Sequence, residues 1–351
     1  MDNNKEKQLG RNSVIDIIKG ICILFVIITH YQWTNEQRLM LLFPFWIDMA
    51  VPLFMIFSGY LSALSFYKRN FNMTDWYSLS SLFSKLFRFV IPFSIAYFIE
   101  VIVEVFVLKR FTLFQIFASY FVGGYGPGGY YFPLMIQFVF LFPFICYVIK
   151  KYDFYGLLLM FCINGIYEFL QRIYGMNIEL YRLLIFRYVF VISFGVFAYL
   201  CREKKIKKKW GLLSFLIGLF FIVLVEYTEY IPKILIYWTR TSFLACLYIL
   251  PFSYFILKLK SKIKFTPLQI LGKASFNIFL TQMVYYQYMS SVVKIYVEND
   301  YICLLMNVCL CVIVGILFYF IESPLTKKII SSLTNKKVYI AYTKINNFFW
   351  R

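Results

Sequence analysis

Three polar side chains in the first apolar segment could act together in chemistry. Asp16, Lys19 and His30 lie within residues 14–30, and His30 is the only histidine among 351 residues. His30 follows Lys19 by eleven residues, and at about 100° per residue this brings both to nearly the same face of an α-helix. Asp16 lies one turn before Lys19 and shares that face. Lys19 and His30 would then be about 16 Å apart along the helix axis.

These residue types indicate proton transfer and anion binding. An imidazole can act as a general base near neutral pH, and a lysine supplies a fixed positive charge for an anion or a developing oxyanion. A structural role is the alternative: Lys19 could extend to the headgroups and pair with Asp16, with His30 as a polar residue at the outer rim. Charged groups in an apolar helix are costly in lipid, which favours a functional role.

The composition predicts an all-α polytopic membrane protein, a helical bundle of about ten transmembrane helices. Apolar residues make up 61% of the chain and aromatic residues 22%, whereas soluble domains are about 45–50% apolar. The formal net charge of +19 comes largely from short connections between apolar segments, so it does not indicate nucleic acid. We predict spans at residues 14–33, 43–66, 84–108, 129–149, 154–170, 181–200, 210–228, 232–257, 268–290 and 300–321.

The cysteines and the single histidine bear on metal binding. Most of the eight cysteines fall in apolar segments, and none forms a Cys-x-x-Cys pair, which is typical of small buried side chains. One histidine excludes a histidine-based metal cluster, so no metal site is predicted.

The charges between the spans predict the topology. Alternate connections are rich in Lys and Arg, which places both termini in the cytoplasm of a multi-pass protein of the cell (plasma or inner) membrane. Lys109 and Arg110 are an exception, on a connection predicted to lie outside. Residues 1–13 and 326–351 are then cytoplasmic tails flanking a membrane domain at 14–325. Lys19 lies toward the cytoplasm, and His30 lies toward the outer side at a depth similar to Asp48.

The first span is similar to the opening motif of the membrane acyltransferase-3 family. That motif is Leu-Asp-x-x-Arg-Gly with a histidine eleven residues after the arginine. Here Asp-Ile-Ile-Lys-Gly occupies residues 16–20, and Lys19 keeps the charge of the arginine without its bidentate fork. Further similarities follow in the family's order at residues 51–61, 85–92, 130–133, 271–280 and 321–324, so the resemblance covers residues 14–325. Gln282 stands where many relatives carry a second histidine.

This resemblance implies an integral membrane O-acyltransferase. Such an enzyme moves an acyl group, which we expect to be acetyl, from cytosolic acyl-CoA to a hydroxyl of a cell-surface glycan or its lipid-linked precursor. Acetyl-CoA would be a donor substrate and not a bound cofactor, and membrane lipids and glycan-assembly proteins would be further partners. Direct transfer with His30 as base and transient acylation of His30 both remain open.

An exporter of a polysaccharide or lipid-linked sugar, without acyl transfer, is the alternative function. Buried charges in ten spans suit it equally well. The chain shows no internal repeat of the kind that transporters often carry, which weighs modestly against export.

Further site residues are predicted from charges and motifs. Lys85 and Arg88, with Lys19, are predicted to contact the phosphates of coenzyme A, although anchoring at the cytoplasmic face explains Lys85 and Arg88 equally. Asp48 could orient the imidazole of His30 or be solvated among the headgroups. Ser58 could line the cavity or allow close helix packing. The other predicted substrate-binding residues are Tyr130 and Tyr131 after the glycine-rich segment 123–129, and Arg187, Gln282 and Glu322 in or beside apolar spans.

The first prediction concerns the charge at position 19. Lys19→Arg should retain much of the acyl transfer and Lys19→Ala should not, because only the arginine keeps a cation at this position. Transfer of label from acetyl-CoA to membrane glycan measures this. Equal transfer by the two variants would remove Lys19 from the site.

Overall fold

A computed structural model of the protein describes residues 13–70, 72–110, 112–204, 207–228, 230, 239–259, 265–297 and 299–334. Across these ranges the regular structure is α-, 3₁₀- and π-helix, with no strand, which confirms the all-α fold. The main helices are α1 (Ser13–Thr29), α2 (Ala50–Lys68), α3 (Leu79–Ile102), α4 (Leu113–Val122), α5 (Tyr131–Ile173), α6 (Val189–Leu200), α7 (Lys208–Tyr227), α8 (Leu250–Lys258), α9 (Thr266–Tyr288) and α10 (Asp300–Thr334). Four shorter helices, at Asn35–Met40, Met73–Tyr77, Ile178–Leu183 and Ser290–Tyr296, lie in the connections.

The long helices are those of a membrane protein. In the described ranges, five helical segments are long and apolar enough to cross a bilayer: Phe43–Lys68, Leu79–Val107, Tyr131–Ile173, Lys208–Tyr227 and Asp300–Leu333. The segment in α10 has the highest mean hydropathy, 2.7, yet only 17% of its most apolar window is buried within the protein. Its exposed apolar side chains therefore suit contact with lipid. Ten spans remain a prediction.

The predicted span boundaries agree unevenly with the helices. Helix α5 is two helices joined at Asp153, where φ is 50° and ψ is −119°. A Cβ on Gly156 would lie 2.8 Å from the Val148 carbonyl oxygen, so the chain reverses there, between the predicted spans 129–149 and 154–170. The predicted span 181–200 contains α6, which is only 12 residues long. Residues 232–238 of the predicted span 232–257 lie outside the described residues, as do most residues of both predicted tails. Helix α10 continues beyond residue 325, where the membrane domain was predicted to end.

The helices pack in two groups that meet through α1 and α3. Helix α9 packs on α1 and on α10, and α3 packs on α10. In the other group α6 packs on α2 and on α5. Helix α1 also packs on α2, and α3 packs on α5, so these two contacts join the groups.

Helices α1 and α9 cross with their backbones in direct contact. A Cβ on Gly272 would overlap the carbonyl oxygen of Asp16, and one on Gly20 would overlap that of Leu268. At the far end of both helices, the Tyr286 hydroxyl donates to the Ile27 carbonyl at 3.0 Å. The two helices are therefore parallel, as expected for the first and ninth of ten spans, and small residues at the crossing allow this approach.

This contact generates the second prediction. Gly272→Ala should destabilise the protein by about 1–3 kcal/mol or more, because a methyl group must push two helix backbones apart. Thermal unfolding in detergent measures the loss. Gly211→Ala is the matched control, since its Cβ would meet only a Pro251 side-chain carbon at 3.6 Å, an ordinary contact. Equal melting temperatures for the two variants would contradict the close crossing.

Candidate functional site

His30 lies one residue beyond the end of α1, where two cavities meet. Its backbone N–H donates to the Ile27 carbonyl at 3.3 Å, so the chain continues its last helical turn. The half-buried imidazole lines both cavities. Within the described part of the chain, no side chain is hydrogen-bonded to it, and its nearest ring is that of Tyr286, at 6.2 Å between centroids. The ring nitrogens are therefore available to ligands from either cavity.

The first cavity, here called the apolar cavity, follows α1 from Lys19 to His30 and has a volume of about 250 Å³. Lys19, Ile23, Val26 and His30 recur at helical spacing along one wall, so the predicted common face of Lys19 and His30 is present. Its polar groups besides Lys19 and His30 come from Thr29, Ser58, Tyr130, Tyr131 and Ser275, while Val51, Phe54, Phe57, Leu61, Phe89, Met135, Phe276 and Phe279 contribute apolar surface.

The second cavity, here called the polar cavity, opens on the other side of His30 and has a volume of about 400 Å³. Hydroxyl, amide and cationic side chains dominate its wall, and none of the described carboxylates contributes to it. Such a surface suits a ligand rich in hydroxyl groups. The lining residues are His30, Tyr31, Gln32, Tyr125, Gly126, Pro127, Arg182, Tyr286, Gln287, Ser290, Lys294, Cys303 and Asn307.

The glycine-rich segment 123–129 crosses the junction of the cavities. It follows α4 and is not regular helix. Gly128 has φ +90°, and a Cβ there would lie 3.0 Å from the Phe279 ring and 3.6 Å from His30 Nε2. Only a residue without a side chain fits this approach at a positive φ. The segment therefore brings backbone directly against the imidazole.

Asp48 does not orient His30. Its Oδ1 accepts from Arg38 Nη2 at 2.6 Å and from the Thr29 hydroxyl at 3.2 Å. Arg240 lies 3.9 Å from Asp48 Oδ2 and pairs with Glu226 at 2.6 Å. Arg38 also donates to the Thr29 carbonyl at 3.5 Å, at the helix end where carbonyls lack partners and a cation is favourable. Asp48 thus acts on the end of α1 through Arg38 and Thr29.

A basic cluster lies toward the Lys19 end of the apolar cavity, although none of its three residues is on the cavity wall. Arg69, Lys85 and Arg88 are close enough for their charges to repel one another. Helix α2 begins beside Asp48 and α3 ends beside the glycine-rich segment. Arg69 therefore lies at the end of α2 remote from His30, and Lys85 and Arg88 lie in the half of α3 remote from it. Phe89, next to Arg88, lines the apolar cavity. Lys85 also lies over the Trp76 ring at 3.8 Å.

Four other predicted site residues lie away from both cavity walls. Asp16 is buried at the α9 crossing. Arg187 donates to the Thr241 hydroxyl at 2.5 Å and lies 4.9 Å from the Tyr188 ring centroid. Glu322 accepts from the Asn277 amide at 2.9 Å and from Thr326, which ties α10 to α9. Gln282 is fully buried, and neither of its amide atoms has a hydrogen-bond partner in the described structure.

The pair Ser58–Gly59 both lines a cavity and allows close helix packing, the two roles that the sequence leaves open. The Ser58 hydroxyl donates to the Phe54 carbonyl at 2.8 Å, and the residue lines the apolar cavity. A Cβ on Gly59 would overlap the Ile192 carbonyl, so Gly59 allows close packing of α2 on α6.

The sequence predictions missed several residues around His30. Arg182, Tyr286, Gln287, Lys294 and Asn307 line the polar cavity, but their spacing in the chain gives no signal for this. Glu100 and Glu104 could have been found, because two acidic residues four apart inside an apolar segment are costly in lipid. Both are buried, at 1% and 2% exposure.

The helices and the exposed apolar faces define an all-α membrane protein, and the two cavities that meet at His30 form its candidate site. The comparison with protein-family models matches residues 12–321 to the acyltransferase-3 family, described as an acyltransferase domain. The chain belongs to this family and is a membrane acyltransferase. The comparisons with curated proteins and with solved structures give no match.

The ion pair at the end of α1 generates the third prediction. Arg38→Met and Asp48→Asn should each destabilise the protein, and the double variant should lose less than the sum, with a coupling of about 0.5–3 kcal/mol. The side chain of Asp48 is only 7% exposed, so losing either partner leaves the other incompletely satisfied. Unfolding in detergent measures the three variants.

Lys204→Met provides a control for this cycle. It removes an ion pair with Asp153 whose side chains are 62% and 51% exposed, so it should cost less than about 1 kcal/mol. If the losses of stability from Arg38→Met and Asp48→Asn were strictly additive in the double variant, the two residues would not act together on the end of α1.

Proposed function

We propose that this protein is an O-acetyltransferase that moves an acetyl group from cytosolic acetyl-CoA to a hydroxyl of a cell-surface glycan or its lipid-linked precursor. The observation that carries the proposal is that one imidazole, His30, belongs to two cavities of different chemistry. A transfer between two substrates requires both of them to lie beside one reacting group, and two cavities that meet at His30 allow one substrate in each.

The apolar cavity suits the donor. Lys19 lines one end of it. Arg69 at the end of α2, with Lys85 and Arg88 in the first half of α3, adds positive charge on the same side, so this end can attract the phosphates of coenzyme A. The hydroxyls of Ser58, Tyr131 and Ser275 can hydrogen-bond the amides of the pantetheine arm while its methylene groups contact the apolar wall. Since Lys19 and His30 are about 16 Å apart along the helix, Lys19 acts on the donor and not on the reacting carbonyl.

The polar cavity suits the acceptor. Its hydroxyl, amide and cationic side chains match the hydroxyl groups of a sugar. In the proposed transfer, the imidazole of His30 takes the proton of the acceptor hydroxyl while that oxygen attacks the thioester carbonyl carbon. The carbon–sulfur bond breaks, and the coenzyme A thiolate leaves and receives the proton from the imidazolium. We propose direct transfer from donor to acceptor, without transient acylation of His30. Because the two substrates approach His30 from different cavities, the acceptor oxygen can reach the thioester carbonyl while both are bound.

The predicted topology is consistent with this direction of transfer. With both termini in the cytoplasm of a cell (plasma or inner) membrane, the Lys19 end would face the cytosolic donor and the polar cavity the outer side. Glycan-assembly proteins would supply the acceptor.

The fourth prediction tests the base. His30→Ala should lower acetyl transfer by at least about 100-fold, since general base catalysis contributes about 10²–10⁴-fold. The amount of the His30→Ala variant in the membrane and its binding of coenzyme A should be unchanged, because the imidazole makes no side-chain hydrogen bond in the described structure. Radiolabelled acetyl-CoA, with label counted in envelope polysaccharide, measures transfer.

Lys19→Ala is the matched variant at the other end of the same cavity. It should weaken coenzyme A binding, which His30→Ala should not. Full acetylation by His30→Ala would refute the proposed chemistry, and export of unmodified glycan without acetyl transfer would favour the exporter.

A further inference from the structure

Glu100 is a buried carboxylate near the end of α3. It is 1% exposed, and no cation in the described residues pairs with it. Burying an unpaired carboxylate is costly unless hydrogen bonds compensate it. Its Oε2 accepts from the backbone N–H of Tyr125 at 3.0 Å. Glu100 is therefore hydrogen-bonded to the glycine-rich segment at Tyr125, the residue between Gly124 and Gly126.

The glycine-rich segment is fitted to this carboxylate. Gly124 has φ +84°, and a Cβ there would overlap Glu100 Oε2. The Tyr125 ring stacks on that of Tyr97, one turn before Glu100, with centroids 6.1 Å apart. On the other side, a Cβ on Gly126 would lie 2.6 Å from the Met283 carbonyl of α9. The segment is thus held between α3 and α9.

The segment forms the wall at the junction of the two cavities. Tyr125, Gly126 and Pro127 line the polar cavity, while Gly128 lines the apolar cavity beside the imidazole of His30. A displacement of the segment would widen the junction and admit water to the reacting carbonyl.

We propose that Glu100 is a positioning residue that holds the glycine-rich segment against His30 and so favours transfer to the acceptor over hydrolysis of the donor. This inference rests on the proposed acetyl transfer. In the competing reaction a water oxygen attacks the thioester carbonyl, His30 takes the water proton, and the carbon–sulfur bond breaks. The products are acetic acid and coenzyme A, whose thiolate takes the proton from the imidazolium. Exclusion of water from such sites is a general means of suppressing this side reaction.

The fifth prediction compares two substitutions of Glu100. Membranes containing each variant are given radiolabelled acetyl-CoA and envelope polysaccharide, and label is counted in free acetate and in polysaccharide. Glu100→Met removes both acceptor oxygens and should raise the ratio of hydrolysis to transfer by about fivefold, equivalent to about 1 kcal/mol. Glu100→Gln keeps one acceptor oxygen for the Tyr125 N–H, so its ratio should stay within about twofold of the wild type.

Glu104→Met is the matched control. Glu104 lies one turn further on and is 2% exposed. Its carboxylate accepts from the Tyr288 hydroxyl at 2.9 Å and, among the described residues, makes no hydrogen bond to the segment. Its substitution removes an equally buried carboxylate and should leave the ratio unchanged. If substitution acted only through a general loss of stability, Glu100→Met and Glu104→Met would change the ratio of hydrolysis to transfer alike.

Gly124→Ala breaks the same contact from the segment's side and decides the question if Glu100→Met fails to reach the membrane. Like Glu100→Met, it should raise the ratio of hydrolysis to transfer. The inference is overturned if Glu100→Met or Gly124→Ala loses transfer and hydrolysis in equal proportion, or if Glu104→Met raises the ratio as much. A wild-type protein that transfers no label would instead refute the proposed function itself.

Discussion

Helices α1 and α9 touch through their backbones at Gly20 and Gly272, and the site depends on this contact. Because the two helices are parallel and start from this crossing, their far ends come together at His30 and Tyr286. Each helix then provides part of the wall of the apolar cavity. In lipid, where apolar surfaces gain little by associating, such close packing of small residues is a main source of helix association.

A second constraint is the cost of polar groups in a membrane, and the structure meets it in two ways. Some charged groups are paired or hydrogen-bonded, such as Asp48 with Arg38 and Glu322 with Asn277. His30, whose side chain makes no hydrogen bond in the described structure, instead lines both cavities, where a substrate can solvate it. This difference separates groups that stabilise the fold from groups available for chemistry, although all of them look alike as charges in apolar sequence.

The structure also explains why the predicted site residues divide as they do. Lys19, Ser58, Tyr130 and Tyr131 join His30 on one cavity wall, whereas Arg187, Gln282 and Glu322 lie among buried contacts. A residue's type and its position in an apolar segment indicate that it needs a partner. They do not indicate whether that partner is another side chain or a substrate. Gln282 has no hydrogen-bond partner within the described structure, so its role remains a prediction.

Local sequence determined the helices, the membrane setting and the common face of Lys19 and His30. These properties follow from apolar periodicity and from the fixed rotation per residue of an α-helix, which need no knowledge of neighbours. The ordered motifs further identified the family. Only the tertiary structure decided that His30 joins two cavities, that Asp48 bonds to Arg38, and that Glu100 accepts a hydrogen bond from the segment beside the imidazole. Those relations join residues far apart in the chain, and they depend on which helices meet and at what depth, which helical periodicity alone does not specify.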